Sequence, residues 1–236
     1  MVDIYIVKIS DVSEEQLNKL YLLIDSDKKH KIKKFINKED KIRSLIGEIL
    51  IRTLIIEEFK IDNSCIKFEK NQYGKPYLSE HPDFYFNISH SGEYVLCAID
   101  NNPIGVDIEE VRAIEYEEIS KSFFTINEFQ YIINKELNSQ LNRFYEIWTL
   151  KESYIKCCGE GLSIPLKSFT IEINQHKNIK VVHNAKYTEH IFKKFDVKEN
   201  YKIAVCSLNK EISNNIIEVN QGSLINKYFR LNYNTL

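Results

Sequence analysis

Two carboxylates, Asp107 and Glu109, lie two residues apart within the apolar run GVDIEE at residues 105–110. On a β-strand successive side chains point to opposite faces, so these acids share one face while Val106 and Ile108 occupy the other. Like charges this close repel each other and raise each other's pKa unless a cation lies between them. A hard divalent metal such as Mg²⁺ prefers oxygen ligands of this kind. The pattern predicts a metal site or, since a DxE pair is common, only the wet face of a strand end.

A third carboxylate, Glu152, occurs in the segment RFYEIWTLKESYIK, which has the apolar periodicity of a helix. That periodicity places Glu152 on an apolar stripe with Phe144 and Trp148, and it places Lys151 and Lys156 along the margins of the stripe. Taken alone, Glu152 is equally typical of a surface partner of Lys156, a pair worth a few tenths of a kcal/mol.

Together, three carboxylates and two ammonium groups indicate phosphoryl chemistry on a metal-bound pyrophosphate. A tetrahedral zinc site is not indicated, because the sequence has no Cys/His ligand spacing.

The composition of the chain is that of an ordinary globular protein. Its 236 residues are 43% hydrophobic and 28% charged, enough for one large domain or two small ones. A net charge of -2 gives no electrostatic footprint for nucleic acid. No apolar run approaches the roughly 18 residues of a membrane span. The five cysteines are odd in number and form no CxxC, which predicts buried thiols in a reducing compartment and hence a cytoplasmic protein.

Apolar periodicity also predicts the elements of the first part of the chain. The start, MVDIYIVKIS, alternates as a strand does, and Ser13 is a plausible N-cap for a short helix. One long helix with a basic start is predicted over residues 27–59. Two strand pieces flank a turn at residues 73–76, and FNISHSGEYVLCAI predicts a loop that leads into a buried strand.

The second part of the chain repeats this order. One helix is predicted over residues 117–135, a second ends at Gly159, and SFTIEI and YKIAVCSL have the pattern of strands. The order predicts a degenerate duplication, with α+β halves at residues 1–103 and 104–236 and an active site at their junction. The residues after about 209 show no pattern that predicts a function.

The acidic segment GVDIEE, followed by WTLKESYIK at residues 148–156, resembles the signature of the 4′-phosphopantetheinyl transferase superfamily. The resemblance covers residues 1–208, because RSLIGEILIRTLI, YGKPYL, FNISHSG, FFTINE and YKIAVCSL also follow in the family's order. FNISHSG together with both acidic motifs is highly specific. The chain is similar to the Sfp type in particular, whose members activate peptidyl carrier domains of nonribosomal peptide synthetases.

The resemblance implies an enzyme that moves the phosphopantetheine arm of coenzyme A onto a serine of an apo peptidyl or acyl carrier protein. Adenosine 3′,5′-bisphosphate leaves, and Mg²⁺, or Mn²⁺ in its place, is held by Asp107, Glu109 and Glu152. The implied fold is α+β, with two pseudo-symmetric halves that each pack a small antiparallel sheet on a long helix. Because one chain supplies both halves of the site, the enzyme is expected to act as a monomer.

The resemblance further assigns the contacts to coenzyme A to Lys28, Lys31, Arg43, Lys75, Ser89, His90, Lys151 and Lys156. A basic helix start attracts a 3′-phosphate even in a chain that is slightly negative overall. Each residue also has a plainer interpretation, since His90 is equally typical of a structural histidine and Lys28 and Lys31 of a solvated helix face.

The serine hydroxyl must lose its proton during attack. Glu152 can accept it directly or through a water, and Glu128 in FFTINEF is a second candidate; the sequence leaves both open, with Lys156 as a further catalytic residue. Direct transfer requires no nucleophilic side chain of the enzyme.

Carrier proteins present a mostly acidic helix, so a docking surface is expected to be apolar with basic neighbours. Ile119, Phe123 and Phe124 are the candidates, unless they pack in the core. The alternatives to a transferase of secondary metabolism are an enzyme dedicated to fatty-acid carriers and a non-catalytic protein that binds coenzyme A or a carrier. A metal-dependent nuclease is disfavoured because no basic groove for nucleic acid is indicated, and no membrane partner is expected.

Overall fold

The computed structural model describes residues 2–176, 178–196 and 198–233. The first half of the chain contains β1 (Asp3–Lys8), α1 (Glu14–Leu20), α2 (Ser26–Lys33), α3 (Lys38–Phe59), β2 (Phe68–Lys70), β3 (Pro76–Leu78), β4 (Tyr85–Ser91) and β5 (Tyr94–Asp100). The second half contains β6 (Ile104–Glu110), α4 (Tyr116–Phe123), α5 (Ile126–Ile133), α6 (Leu137–Cys158), β7 (Phe169–Ile173), β8 (Ile179–His183), β9 (Lys186–Tyr187), β10 (Ile191–Phe195) and β11 (Tyr201–Ser207). Two further elements follow, β12 (Ile217–Asn220) and α7 (Gln221–Tyr233).

The two halves have the same topology. Strands pair in the order β1-β5-β4 in the first sheet and β6-β11-β10 in the second, all antiparallel within these sets. In each half a strand leads through two shorter helices to a helix of 22 residues, α3 or α6, and a small separate sheet follows. The predicted α+β class and its pseudo-symmetric halves are confirmed.

The protein has four layers: helix α3, the first sheet, the second sheet and helix α6. One apolar cluster joins α3 to the first sheet, a second joins α6 to the second sheet, and a third lies between the sheets. Val106 and Ile108 of β6 belong to the cluster between the sheets. Asp107 pairs across the sheet with Ala204, which belongs to the cluster under α6. Strand alternation therefore places the acids of β6 on the face that packs against α6, as the sequence predicts.

Both long helical regions predicted from the sequence are interrupted. Residues 34–37 separate α2 from α3, and Asn37 has the extended backbone of an N-cap. Phe124 and Thr125 separate α4 from α5, where Thr125 and Glu128 form a capping box. A capping box satisfies the N–H groups at a helix start, so it favours a new helix over continuation of the previous one.

The segment FNISHS, predicted as a loop, is strand β4. Asn and Ser favour turns, which explains the prediction, but here the side chains of Asn87, Ser89 and Ser91 bond to a neighbouring strand and stabilise the extended backbone. The hairpin to β5 turns at Gly92, whose φ is +52°.

The last elements return to the first half, although the prediction grouped residues 104–236 together. Strand β12 pairs with the edge of β1 in parallel orientation, so the first sheet is not wholly antiparallel. Helix α7 buries Leu224, Ile225 and Tyr228 in the cluster of α3, and the Tyr228 hydroxyl donates to the Leu23 carbonyl at 2.6 Å. This apolar stripe covers a surface of α3 that would otherwise face water, which the weak pattern of the sequence did not show.

Within the described ranges, no helix combines the length and apolar character needed to cross a membrane. All five cysteines are free thiols, and Cys97, Cys157 and Cys206 are buried.

Gly105 sets the distance between β6 and α6. A Cβ atom at this position would lie 2.0 Å from the Ser153 carbonyl oxygen and 2.3 Å from the Cys157 backbone nitrogen. Both atoms belong to the helix backbone and cannot rotate away. Any side chain at residue 105 would push α6, with its charged residues, off the acidic strand.

We expect Gly105→Ala to lower the free energy of unfolding by about 3 kcal/mol, the upper end of ordinary overpacking costs. Chemical denaturation measures this change. Gly222→Ala is the control, because its Cβ meets nothing closer than 3.4 Å and alanine favours the helix it joins. Equal stability of the two variants would contradict the close approach of α6 to β6.

Candidate active site

Strands β4 and β6 lie side by side at the junction of the two halves. Side chains of β4 accept backbone N–H groups of β6: Asn87 from Val106 at 2.8 Å, Ser89 from Ile108 at 3.4 Å and Ser91 from Glu110 at 3.1 Å. We call these three side chains the polar ladder. Since alternate residues of a strand share a face, the ladder has the same two-residue period as the acids of β6.

The two serines of the polar ladder also hold the acids. The Ser89 hydroxyl donates to Asp107 Oδ1 and the Ser91 hydroxyl donates to Glu109 Oε2, each at 2.9 Å. A hydroxyl has one donor and two acceptor positions, so each serine can serve a backbone N–H and a carboxylate together. The first half of the chain thereby orients the acids of the second half.

Helix α6 completes the cluster of charges. Lys156 Nζ lies 2.6 Å from Asp107 Oδ1 and 3.0 Å from the Ser89 hydroxyl. Glu152, one turn earlier, is half-buried and makes no hydrogen bond or ion pair within the described part of the chain. The structure thus brings together five of the predicted residues: Ser89, Asp107, Glu109, Glu152 and Lys156.

The three acids of this cluster repel one another. Burial raises the pKa of Asp107, although Lys156 opposes the rise. Burial and then the neighbouring Asp107 raise the pKa of Glu109 to about 7. The pKa of Glu152 is raised by the same two causes in the same order. One ammonium does not balance three carboxylates, so a further cation would lower the energy of the charged cluster.

The donor atoms fit a hard divalent cation. Asp107 Oδ2 is buried and has no hydrogen-bond partner, and the Glu152 carboxylate is equally free within the described residues. All the donors are oxygens, as Mg²⁺ prefers. No three Asp, Glu, His or Cys side chains of the described ranges already converge as a ligand cage, and Asp107 Oδ1 is occupied by Lys156 and Ser89. The site has the donors for a metal without a finished coordination shell.

A groove leads from the acids into the first half. A cavity of about 310 Å³ beside Glu109 is also lined by Arg43 and His90. The same two residues line a second cavity of about 230 Å³, where Lys28 adds a charge and Pro76 and Phe86 form part of the wall. The inner end of this groove therefore combines the cations of Lys28 and Arg43 and the Glu48 carboxylate with an apolar wall.

Arg43 and His90 lie where the two cavities meet. The Arg43 guanidinium donates to the Gly92 carbonyl and to Asp40 Oδ1, both at 2.5 Å, which fixes its position. The pKa of His90 is lowered because the surrounding protein reduces the solvation of the ring, and the Arg43 and Lys156 cations lower the pKa further. A phosphate placed here would face the Arg43 guanidinium, with the carboxylates of Asp40 and Glu109 on other walls of the same cavity.

Lysines cluster at the basic end of the groove. The Lys31 ammonium, and less strongly that of Lys28, lowers the pKa of Lys70 on β2. Lys70 pairs across its hairpin with Pro76, a residue of the groove wall. Sequence reasoning missed Lys70; its only signal was a position just before the turn that carries Lys75.

Lys75, predicted to contact the nucleotide, bonds to backbone carbonyls of the second half in the structure. Its ammonium donates to the carbonyls of Ile104, Lys156 and Cys157 at 3.0, 2.6 and 3.4 Å. Asn71, in the same turn, donates to the Gly159 carbonyl at 2.8 Å. We call Asn71 and Lys75 the turn clamp. It satisfies carbonyls at the end of α6, where the helix dipole favours a cation.

Lys151 and Glu128 were predicted to act on phosphate and on a proton, but the structure buries both. The Lys151 side chain has 0% exposure and donates to Glu128 Oε1 at 2.6 Å and to the Phe169 carbonyl at 2.8 Å. Glu128 also accepts the N–H groups of Ile171 and Thr125. Burial lowers the pKa of Lys151 to about 8, although Glu128 opposes the change. The pair stabilises the second half and leaves Lys151 no surface for a phosphate.

The predicted carrier surface is only partly exposed. Phe124 is 3% exposed and packs against Phe144 and Trp148, so it belongs to the core. Phe123 is 50% exposed, and Ile126, which sequence reasoning missed, is 77% exposed. Ile119 is partly buried against the cluster of α6, which leaves Phe123 and Ile126 as the apolar surface of this region.

Two family models match the chain in succession. The model described as 4′-phosphopantetheinyl transferase, N-terminal, matches residues 11–102, and that of the 4′-phosphopantetheinyl transferase superfamily matches residues 103–206. The chain therefore belongs to the 4′-phosphopantetheinyl transferase superfamily, which confirms the resemblance found in its motifs.

Curated relatives agree along nearly the whole chain. The chain is 36% identical over 214 residues to 4′-phosphopantetheinyl transferase Sfp of Bacillus subtilis (strain 168), covering 91% of this chain and 95% of that protein. It is 39% identical over 215 residues to 4′-phosphopantetheinyl transferase gsp of Aneurinibacillus migulanus, covering 91% and 89%.

Among solved structures, a holo-(acyl-carrier-protein) synthase from Bacillus anthracis str. Ames, in complex with CoA, is 19% identical with a TM-score of 0.38. The match covers 44% of this chain and 93% of that one.

A substitution of Lys75 distinguishes a structural role in the turn clamp from a contact to a nucleotide phosphate. We expect Lys75→Met to lower the free energy of unfolding by about 1–3 kcal/mol, because it leaves buried carbonyls without a donor. Denaturant titration measures the loss, and Lys67→Met, on an exposed side chain, is the control. Wild-type stability combined with weaker nucleotide binding would instead support a phosphate contact by Lys75.

The buried ion pair of Lys151 and Glu128 can be tested by a change in stability. Lys151→Met should destabilise the protein by about 3–5 kcal/mol, since the Glu128 carboxylate would remain buried without its cation. Adding Glu128→Gln should recover part of that loss, which a double-mutant cycle in denaturant measures. A stable Lys151→Met protein without activity would show that Lys151 acts in the reaction after all.

Proposed function

We propose that this protein transfers the 4′-phosphopantetheine arm of coenzyme A to a serine of an apo peptidyl or acyl carrier protein and releases adenosine 3′,5′-bisphosphate. The observation that carries this proposal is the convergence of Asp107, Glu109, Glu152 and Lys156 at one end of a groove whose other end is basic and apolar-walled. Membership of the transferase superfamily supports the same reaction.

The groove suits coenzyme A from end to end. Lys28, Lys31 and Arg43 would hold the 3′-phosphate of the nucleotide by charge, and the wall formed by Pro76 and Phe86 offers the adenine an apolar surface. His90, between the two cavities, would contact the phosphates nearer the acidic cluster. Ser89 reaches this region only through its bonds to Asp107 and Lys156, so its part is to orient them.

The site would accelerate the chemical step by stabilising the negative charge that develops on the leaving group. Negative charge grows on the bridging oxygen of the pyrophosphate as its bond to the transferred phosphorus breaks. The Lys156 ammonium would face this charge from α6. Asp107, Glu109 and Glu152 would hold Mg²⁺, or Mn²⁺ in its place, and the bound metal supplies further charge stabilisation at the pyrophosphate.

Glu152 fits the role of general base better than Glu128. Its carboxylate is half-buried and free of partners in the described chain, and burial and Asp107 raise its pKa toward that of an effective base. Glu128 is 1% exposed and both its oxygens are engaged. Glu152 would take the proton of the carrier serine directly or through a water.

The carrier would dock on Phe123 and Ile126, with Lys121 and Arg112 as basic neighbours for its acidic helix. One chain supplies every residue of this site, which supports a monomeric enzyme. The five free thiols favour a cytoplasmic location. The non-catalytic alternative is weaker, because a binding protein has no use for Glu152, an acid that no partner among the described residues holds.

Intact mass spectrometry of apo carriers, one peptidyl and one acyl, incubated with coenzyme A and Mg²⁺ tests the reaction. We expect a gain of one phosphopantetheinyl group, and a rate at least about 100-fold lower for Asp107→Ala, as for removal of other groups that stabilise transition-state charge. A carrier without its target serine is the control. No mass gain on either carrier, with coenzyme A still bound, would favour the non-catalytic alternative.

The docking surface has its own test. Phe123→Ala and Ile126→Ala should each raise the KM for the carrier about tenfold, since each loses about 1.4 kcal/mol of apolar contact. The KM for coenzyme A should not change. Leu22→Ala, a residue of the first half that is 72% exposed, is the matched control. Equal effects on both substrates would contradict docking at this surface.

A further inference from the structure

Ser91 belongs to the polar ladder, and the sequence motifs predicted no role for it. It ends β4, and its hydroxyl both accepts the Glu110 N–H at 3.1 Å and donates to Glu109 Oε2 at 2.9 Å. Within the described ranges, this is the one hydrogen bond that Glu109 makes through its carboxylate. The other acid of β6 is held differently, since Asp107 has both Ser89 and Lys156 as partners.

The backbone that carries Ser91 is fixed on both sides. The next residue, Gly92, accepts a hydrogen bond from Arg43 through its carbonyl, and Arg43 is itself tied to Asp40. A Cβ atom on Gly92 would lie 2.1 Å from the Tyr201 hydroxyl, so the hairpin packs directly onto β11. A hydroxyl on this backbone has little freedom, which makes it suitable to orient a flexible carboxylate.

We propose that Ser91 is a positioning residue for the metal site: its hydroxyl fixes Glu109 Oε2 and leaves Oε1 for the cation. This inference rests on the proposed function, because it requires that Glu109 bind a metal. Groups that orient a ligand typically contribute 10–100-fold to metal affinity. Ser91 lies in the first half and Glu109 in the second, so the proposal makes metal affinity depend on how the two halves pack.

The test is a titration of the whole protein with Mn²⁺, followed through the electron paramagnetic resonance signal of the free ion. Ser91→Ala should bind Mn²⁺ about 10–100-fold more weakly than wild type. Ser91→Thr, which keeps the hydroxyl, should bind more tightly than Ser91→Ala and within about threefold of wild type. Coenzyme A affinity measured without metal should be the same in all three proteins.

Ser168→Ala is the matched control, since it also removes a hydroxyl that donates one hydrogen bond but lies on an exposed turn. Thermal unfolding of each variant checks that the fold is retained. Wild-type Mn²⁺ affinity in Ser91→Ala would overturn the proposal. A drop in stability without a drop in Mn²⁺ affinity would also overturn it and leave Ser91 a purely structural role.

Glu109→Gln separates this proposal from the function on which it rests. If wild type binds Mn²⁺ and Glu109→Gln does not, the metal site exists and Ser91→Ala alone decides the role of Ser91. If wild type binds no Mn²⁺ with or without coenzyme A, the metal site of the proposed function fails and the role of Ser91 fails with it.

Discussion

The junction between the halves depends on side chains of one strand that bond to the backbone of another. Strand β4 approaches β6 through Asn87, Ser89 and Ser91, and the spacing of this polar ladder is the spacing of the acids beside it. A backbone ladder could join the sheets equally well, but it could not also donate to carboxylates. The junction and the proposed active site are therefore built from the same residues, which come from both halves.

The turn clamp joins the halves at a second point. Asn71 and Lys75 bind the last carbonyls of α6, the helix that carries Glu152 and Lys156, while Gly105 lets β6 approach that helix closely. The ladder thus fixes the acids of the strand and the clamp fixes the charges of the helix. Because both come from the half that also forms the basic groove, the first half would position the nucleotide and the reacting phosphate together in the proposed reaction.

Sequence patterns indicated the charged residues of the acidic cluster better than they indicated the residues that join the two halves. Asp107, Glu109, Glu152 and Lys156 follow strand and helix periodicity, and the structure brings them together. Periodicity does not show which way a long side chain reaches, so Lys75 and Lys151 were assigned to phosphate although they bond to carbonyls and to Glu128. Turn-forming residues likewise hid β4, whose extended backbone is stabilised by its ladder with β5 and by its side-chain bonds to β6. The return of α7 to α3 is a long-range contact that no local pattern encodes.

A crystal structure of the protein with coenzyme A and Mn²⁺ would show whether the acids at the junction bind a metal, because anomalous scattering locates the metal without a bias from the expected ligands. We expect one Mn²⁺ at the junction of the halves, bound by Asp107 Oδ2, Glu109 and Glu152 and by the pyrophosphate, with the Ser91 hydroxyl still on Glu109 Oε2. A metal bound elsewhere would contradict this expectation, as would a pyrophosphate in the groove with no metal and with Asp107 held by Ser89 and Lys156 only.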